Sequence, residues 1–275
     1  MNRRKFVKQS VAAGVAVSGA LRLSAAKASA AEAPIGGGRS VTVAAKPAPI
    51  SLDLAKTVVI VVDMQNDFGS KGGMFDRDGF DLSIIQRAVP PTAKVLAAAR
   101  KARLRIVYLK MGFKPDLSDM GVAGCPNWIS NSADHVGTTV RLPNGKEGRI
   151  LVRDTWNTDI VDELKPEPAD LVMYKHRFSG FFETNLDANL KRLGTRYIIF
   201  TGCTTSICVE STIRDAMYRE YCPVLLADCS GEVLGCDLPR TNHDASLLLI
   251  EKQFGWVSSS EEFIKALQTM TKPNV

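Results

Sequence analysis

Three residues of different chemical type follow three apolar segments, each at a point where a β-strand would end. Asp63 follows TVVIVV, Lys175 follows DLVMY, and Cys208 comes shortly after RYIIFT. A thiolate is a nucleophile, and a neighbouring lysine cation favours the thiolate form. A carboxylate can take the thiol proton and later return it to a leaving amine. The three residue types together fit nucleophilic attack on a carbonyl carbon.

The segment GCTTSIC, which ends at Cys208, is typical of a tight turn that leads into a helix. The N-terminal end of a helix favours a thiolate, so the position predicts a lowered pKa for Cys208. Backbone amides of such a turn can face an oxyanion. Each residue also has a structural alternative, because an aspartate after a strand often caps a turn, a lone lysine is usually solvated and a buried cysteine usually packs as a small hydrophobe. Spacing alone does not decide between these interpretations.

Strand-like and helix-like segments alternate along the chain and predict how these residues are positioned. The pattern indicates an α/β fold, a three-layer α/β/α sandwich around a six-stranded, mostly parallel, Rossmann-like sheet. Ligands bind at the carboxyl ends of strands in such sheets, where Asp63, Lys175 and Cys208 would converge. The predicted strands are 57–62, 105–109, 170–174, 196–201, 223–227 and 256–257. The predicted helices are 92–103, 186–193, 207–219, 239–254 and 261–267.

The N-terminal region differs from the rest of the chain in composition. Residues 1–30 combine paired arginines, a short apolar stretch and an Ala-Ser-Ala run, and they resemble a bacterial twin-arginine signal peptide. That resemblance predicts export to the periplasm and no membrane attachment after signal removal. Residues 31–50 are rich in Ala, Gly and Pro and predict a flexible linker, so the folded domain is expected at 51–275.

The basic charge of the chain is concentrated in its first thirty residues. The formal net charge is +6, from 35 basic and 29 acidic side chains. The first thirty residues hold six of the basic side chains and no acidic one, which leaves 29 of each sign in the remainder. A body without excess positive charge argues against nucleic acid as a partner.

Cysteine and histidine usage argues against a structural metal and a disulfide framework. The six cysteines form no CxxC pair, and the three histidines are not spaced as zinc ligands. A domain of this size can close its core without disulfides, although one pair among Cys222, Cys229 and Cys236 could oxidise in an exported protein. We expect neither a metal nor another cofactor.

Three longer motifs carry a family resemblance. VVIVVDMQNDF, YKHRFSGFFETNL and IIFTGCTTSICVESTIRDA resemble, in order, the isochorismatase-like cysteine hydrolases. The resemblance implies that Asp63 is the acid/base, that Lys175 orients and activates, and that Cys208 is the nucleophile. It also implies a cis peptide between Cys203 and Thr204, and an oxyanion hole formed by the Thr204 and Cys208 amides. Cys203 would then have no catalytic role.

Within that family the motifs are most similar to ureidoacrylate amidohydrolases and next to biuret hydrolases. The resemblance implies hydrolysis of a C–N bond in a small ureido or amide compound through a covalent thioester, and it implies a homo-oligomer. Where the ureidoacrylate group tends to have Asn-Gly-Trp, this chain has Met111-Gly112-Phe113, and Phe178 stands where tyrosine is common. These departures predict a more apolar pocket. The substrate-binding residues expected from this comparison are Met111, Phe113, Asp119, Asn131 and Phe178.

Three other functions remain possible from the sequence. A biuret or N-carbamoyl amidase would use the same catalytic residues. A non-catalytic small-molecule-binding protein could share the fold, but it would be expected to lack one of the three catalytic residue types. A thiol redox protein would need CxxC spacing, whereas Cys203 and Cys208 are separated by four residues.

Overall fold

The computed structural model describes residues 39–269, so the predicted signal peptide at 1–30 lies outside the described residues. Its strands are β1 (Ser40–Val43), β2 (Ile50–Asp53), β3 (Thr57–Val62), β4 (Arg105–Met111), β5 (Thr139–Arg141), β6 (Glu147–Arg149), β7 (Leu171–Lys175), β8 (Tyr197–Cys203), β9 (Cys222–Gly231) and β10 (Trp256–Ser258). Its α-helices are α1 (Asn66–Gly69), α2 (Met74–Arg77), α3 (Ser83–Gln86), α4 (Val89–Lys101), α5 (Pro126–Ala133), α6 (Leu186–Arg192), α7 (Glu210–Met217), α8 (Asn242–Leu249) and α9 (Ser260–Gln268). In this part of the chain no helix is both long and apolar enough to cross a bilayer.

The central sheet confirms the predicted α/β architecture. Its six strands lie in the order β10-β9-β8-β3-β4-β7, and every neighbouring pair is parallel. All six residues of β3 are buried, as expected for a continuous β-branched run in a sheet covered on both faces. The carboxyl ends of the strands therefore share one rim.

Helices cover both faces of this sheet. On one face, Val59 and Val61 of β3 belong to the same apolar core as residues of α4 and α9. On the other face, Val58, Ile60 and Val62 share a core with residues of α6 and α7. Successive strand residues point to opposite faces, so a single buried strand supplies both cores. The three-layer sandwich is thus the observed arrangement.

The prediction of a flexible linker through residue 50 is wrong for its described part. β1 and β2 form an antiparallel hairpin, in which Val41 pairs with Leu52 and Val43 pairs with Ile50. These four side chains are buried in the core that contains α9. The short alternating segment SVTV is flanked by residues rich in Ala, Pro and Gly, and the composition of the whole region is therefore that of a linker. Within the described residues, folded structure is therefore present from Ser40 onward and not only from near Ser51.

A long insertion between β4 and β7 contains α5 and the β5–β6 hairpin. Asp67 of α1 anchors this insertion, because its carboxylate accepts hydrogen bonds from the Leu151 amide at 2.7 Å and the Asn157 side chain at 2.6 Å. It also accepts one from the Met74 amide at 3.0 Å. Burial raises the pKa of Asp67 to about 6. Asp67, the second aspartate of the DMQNDF motif, thus holds in place the part of the insertion that faces the strand ends.

Candidate active site

Asp63 and Lys175 form a buried ion pair at the rim of the sheet. Lys175 Nζ lies 2.7 Å from Asp63 Oδ2, and the two side chains are 0% and 1% exposed. Because β4 separates β3 from β7, the lysine side chain crosses the end of β4, where Met111 is its register partner. Met111 Sδ lies 3.7 Å from Nζ, and the Arg177 carbonyl accepts a hydrogen bond from Nζ at 3.2 Å. The ammonium group is therefore held between fixed acceptors.

The backbone around Asp63 is held in an unusual conformation. Asp63 has φ 52°, in the left-handed region, and its amide donates to the Leu109 carbonyl at 2.9 Å. The Cys203 thiol donates to the Asp63 carbonyl at 3.1 Å, so Cys203 supports the acid from the neighbouring strand. Gly202 permits this close approach, because a Cβ there would lie 2.0 Å from the Val62 carbonyl oxygen. These contacts orient the Asp63 side chain.

Cys208 lies on a five-residue π-helical turn, Thr205–Val209, which runs directly into α7. The expected cis peptide between Cys203 and Thr204 is present before this turn. The Ile207 and Val209 amides donate to the Thr204 carbonyl at 3.2 and 3.1 Å. The Ser206 amide donates to a carboxylate oxygen of Glu232 at 2.7 Å. These three amides are engaged within the protein, which leaves the Thr204 and Cys208 amides among the candidates for an oxyanion hole.

Burial sets the resting protonation state of the site. It raises the pKa of Asp63, although Lys175 opposes the shift. Burial disfavours a charged Lys175, but the Asp63 carboxylate and hydrogen bonds to Asp63 and Cys208 outweigh this and raise its pKa. Burial also raises the pKa of Cys208 to about 12, against the influence of Lys175. The prediction of a lowered cysteine pKa is therefore wrong, because desolvation outweighs the lysine charge.

A neutral thiol beside an ion pair needs a base before it can attack. Hydrogen bonds from Lys175 and from the Cys208 thiol lower the pKa of the buried Asp63 carboxyl against the effect of burial. The Cys208 thiol is near enough to influence the pKa of both Asp63 and Lys175. The arrangement can therefore move a proton from Cys208 to Asp63 as the sulfur attacks a carbonyl carbon.

A cavity of about 150 Å³ opens above these residues, and both Asp63 and Cys208 line it. This volume suits a small molecule. Its walls are mainly apolar, and three phenylalanines come from the region of α1 and α2. The phenylalanines are Phe68, Phe75 and Phe80. Polar groups in the wall include Ser130, Asn131 and Asp134, which belong to or follow α5.

Known proteins resemble this chain over most of its length. The isochorismatase domain matches residues 57–262, which is more than half of the chain. The chain belongs to the isochorismatase family. This finding confirms the family that the three sequence motifs indicate.

Individual members of the isochorismatase family show how far the likeness extends. The ureidoacrylate amidohydrolase RutB of Methylorubrum extorquens AM1 is 41% identical over 86% of this chain and 92% of its own length. The protein of the same name from Agrobacterium fabrum is 40% identical over 81% of this chain and 95% of its own length. A cysteine hydrolase from Pseudomonas syringae pv. phaseolicola has a similar structure, with a TM-score of 0.65 and 29% identity over 79% of this chain and 95% of its own.

Three of the five predicted substrate-binding residues line the cavity over Cys208. Met111, Asn131 and Phe178 line it together with Cys208. Phe178 is partly exposed and the other two are buried. Phe178 follows β7 and α5 carries Asn131, so the apolar pocket expected from Met111 and Phe178 is observed.

Phe113 and Asp119 do not line this cavity, so the structure does not bring them together with the other three predicted substrate-binding residues. Phe113 is fully buried in the apolar core, and its backbone pairs with Leu151 and Arg153 of the insertion. Asp119 forms an ion pair with Arg153 at 2.8 Å and accepts a hydrogen bond from the Lys114 amide at 2.9 Å. Both residues are near Met111 in sequence, but the insertion folds over them.

Sequence reasoning missed the residues of the cavity that come from outside the strand ends. The phenylalanines of the α1–α2 region and Asp134 had no assigned role. The aromatic spacing between residues 68 and 80 was a usable signal for the first group. Nothing in the sequence indicates that Asp134 lines the cavity, because its position there depends on how the insertion folds.

Hydrogen bonds from neighbouring segments hold the turn Thr205–Val209, which carries Cys208. Thr205 Oγ1 hydrogen-bonds to Ser230 Oγ at 2.8 Å and to His243 Nδ1 at 2.9 Å. Ser230 also donates to the Gly202 carbonyl at 2.9 Å. Glu232 is buried and accepts from the Ser206 amide and hydroxyl, at 2.7 and 2.5 Å. The turn is thus tied to β9 and to α8.

We expect Glu232→Gln to lower kcat by about 10- to 100-fold while KM changes little, because a 1 Å misplacement can cost about 100-fold in rate. The Glu232 carboxylate accepts three hydrogen bonds, including one from the Leu234 amide at 2.9 Å. A glutamine would place an NH₂ group against one of these donors. Steady-state kinetics separates this positioning role from simple unfolding. The exposed Glu163→Gln serves as control, and an equal loss there or an unchanged kcat in Glu232→Gln would contradict the role.

Two further findings concern the cysteines and metals. All six cysteines are free, including Cys222, Cys229 and Cys236, so none of the considered disulfides is formed in the structure. Among the residues that the structure describes, no group of three or more His, Cys, Asp or Glu side chains could hold a metal ion.

Proposed function

We propose that this protein is a cysteine-dependent amidohydrolase that cleaves a C–N bond in a small ureido or amide compound. The observation that carries the proposal is the Cys208 thiol beside a buried Asp63–Lys175 pair, at the floor of a cavity of about 150 Å³. Relatives that are about 40% identical over more than four fifths of the chain are named ureidoacrylate amidohydrolases. The ureido group is therefore the preferred scissile unit.

The first step forms a covalent bond. The ureido carbonyl carbon lies over Cys208, Asp63 accepts the thiol proton, and Sγ bonds to the carbonyl carbon. The carbonyl oxygen becomes an oxyanion, which the Thr204 and Cys208 amides stabilise. The positive charge of Lys175 favours the ionised form of Asp63 against the effect of burial and offsets negative charge as the sulfur loses its proton.

The second step breaks the scissile C–N bond. The oxyanion collapses, and the proton on Asp63 goes to the departing nitrogen, which leaves as an amine or ammonia. A carbamoyl or acyl thioester remains on Cys208. Water then attacks the thioester carbon while Asp63 accepts a proton from it. The C–S bond breaks, the sulfur regains a proton, and the acid product leaves.

Purified protein should release ammonia from small ureido compounds at least about a hundredfold faster than from simple aliphatic amides of equal size, since a site built to bond a polar group discriminates strongly when that bond is missing. The panel includes 3-ureidoacrylate derivatives, biuret, N-carbamoyl amino compounds and aliphatic amides. A coupled assay for ammonia gives kcat/KM for each. The Cys208→Ala variant supplies the background rate. Turnover of none of the panel above that background would contradict the proposed function.

A further inference from the structure

The cavity over Cys208 contains one carboxylate whose charge is not balanced. Its lining includes Asp63 and Asp134 but no lysine, arginine or histidine. The charge of Asp63 is matched by Lys175, which lies 2.7 Å away. Asp134 has no ion-pair partner within 4.0 Å and no side-chain hydrogen bond among residues 39–269. One negative charge therefore remains in the wall.

The surroundings of Asp134 add further negative charge beside it. Asp134 caps the carboxyl-terminal end of the eight-residue helix α5, where unpaired carbonyl groups carry partial negative charge. Burial and the neighbouring Asp78 carboxylate raise the pKa of Asp134, and the exposed His135 opposes them only partly. The group is half-buried, so water screens it less than an exposed carboxylate.

No other wall group carries a positive charge, so a carboxylate could gain only neutral hydrogen bonds there. Asn131 donates one N–H of its side-chain amide to the Met120 carbonyl at 2.9 Å, and its carbonyl oxygen is an acceptor for a ligand. Met111 and the phenylalanines are apolar. An anionic group in this cavity would lose hydration without gaining a cation, which is costly, whereas an uncharged amide loses less and can donate to Asn131.

We propose that the substrate carries no negative charge at the end remote from its scissile carbonyl, and that Asp134 is the residue that sets this specificity. The preferred substrate is an uncharged or cationic ureido compound rather than a ureido carboxylate. The inference rests on the proposed function, since it names the charge class of the molecule that the same site hydrolyses.

A pair of compounds with equal numbers of heavy atoms tests this, namely 3-ureidoacrylate and its carboxamide, 3-ureidoacrylamide. Both carry ¹³C at the ureido carbonyl, so that only hydrolysis at that group is counted by mass spectrometry of the products. At pH 7.5 we expect kcat/KM for the carboxamide to exceed that for the carboxylate by at least about tenfold, which corresponds to about 1.4 kcal/mol.

Asp134→Asn should reduce this ratio at least about fivefold, mainly by raising kcat/KM for the anion, since like charges placed together disfavour binding. The control Asp116→Asn changes an exposed carboxylate on the same insertion and outside the cavity, and it should leave the ratio unchanged. A measurement on the unaltered protein does not depend on variant folding: added salt should speed hydrolysis of the anion relative to the carboxamide.

The outcomes separate the two proposals. If neither compound is hydrolysed and no adduct forms on Cys208, the proposed function fails and this inference fails with it. If both are hydrolysed but the carboxylate is equal or preferred, the proposed function stands and the charge specificity is wrong. If the carboxamide is preferred but neither Asp134→Asn nor salt changes the ratio, the role of Asp134 is wrong.

Discussion

Replacement of Cys208 by alanine is expected to lower kcat for ureido hydrolysis by about 10⁴- to 10⁶-fold, because removing the nucleophile from a cooperating catalytic set costs about as much as removing the whole set. The side chain is buried beside Asp63 and Lys175, and alanine leaves the ion pair in place. The folded state should therefore persist, with little change in Tm. Circular dichroism and steady-state kinetics measure the two effects separately.

The chain offers a matched control for this variant. Cys203 is also buried at the end of β8 and lines the same cavity, but its thiol donates to the Asp63 carbonyl. Cys203→Ser keeps a donor at this position and should retain most activity. Acid quenching during turnover, followed by peptide mass analysis, should find the substrate-derived carbamoyl or acyl group on Cys208. An active Cys208→Ala protein, or a substrate adduct on Cys203, would contradict the mechanism.

The second large effect is expected from the Asp63–Lys175 pair, where activity and stability should respond differently. Asp63→Asn and Lys175→Met should each reduce kcat/KM at least about a thousandfold, within the range found for loss of a general acid/base. Each single change also leaves one buried charge without its partner, which costs about 3–5 kcal/mol of folding free energy. The double variant removes both charges at similar volume, so it should recover most of that stability and remain inactive.

Denaturant unfolding of the four proteins, together with their residual rates, checks this pattern. A double variant that is as unstable as the worse single variant, or one that regains activity, would show that the pair is not coupled as described. The pH dependence provides a further readout. Burial already raises the pKa of Asp63 and Lys175 lowers it. Loss of the lysine raises the pKa further, so the residual activity of Lys175→Met should disappear at a higher pH than that of the unaltered protein as pH falls.

The positions of Asp63 and Lys175 were predictable because each follows an apolar run long enough to be a strand. A parallel sheet places the carboxyl ends of its strands on the same rim, irrespective of the loop conformations. Asp63 and Lys175 are therefore expected on that rim. The register of β7 and the length of the lysine side chain then account for its reach across β4. The roles assigned to these residues nevertheless stay predictions until variants are measured.

Other properties depend on packing that one sequence does not reveal. The pKa of Cys208 depends on how much water reaches the thiol, and burial here outweighs the charge of Lys175. The family comparison predicts Phe113 and Asp119 as substrate contacts, but the insertion turns one into the core and pairs the other with Arg153. Asp134 becomes part of the cavity through the same folding of the insertion.

The loop of the β1–β2 hairpin contacts β10, so segments near both ends of the described residues pack together. The Lys46 amide donates to the Val257 carbonyl at 2.8 Å, and the Val257 amide donates back to Lys46 at 3.0 Å. The Ser258 hydroxyl donates to the Ala44 carbonyl across 214 positions of sequence. Such long-range contacts raise the contact order and form late, after shorter loops have closed. During synthesis β10 emerges after the other five strands of the central sheet, so its contacts with the hairpin form only after those strands have been made.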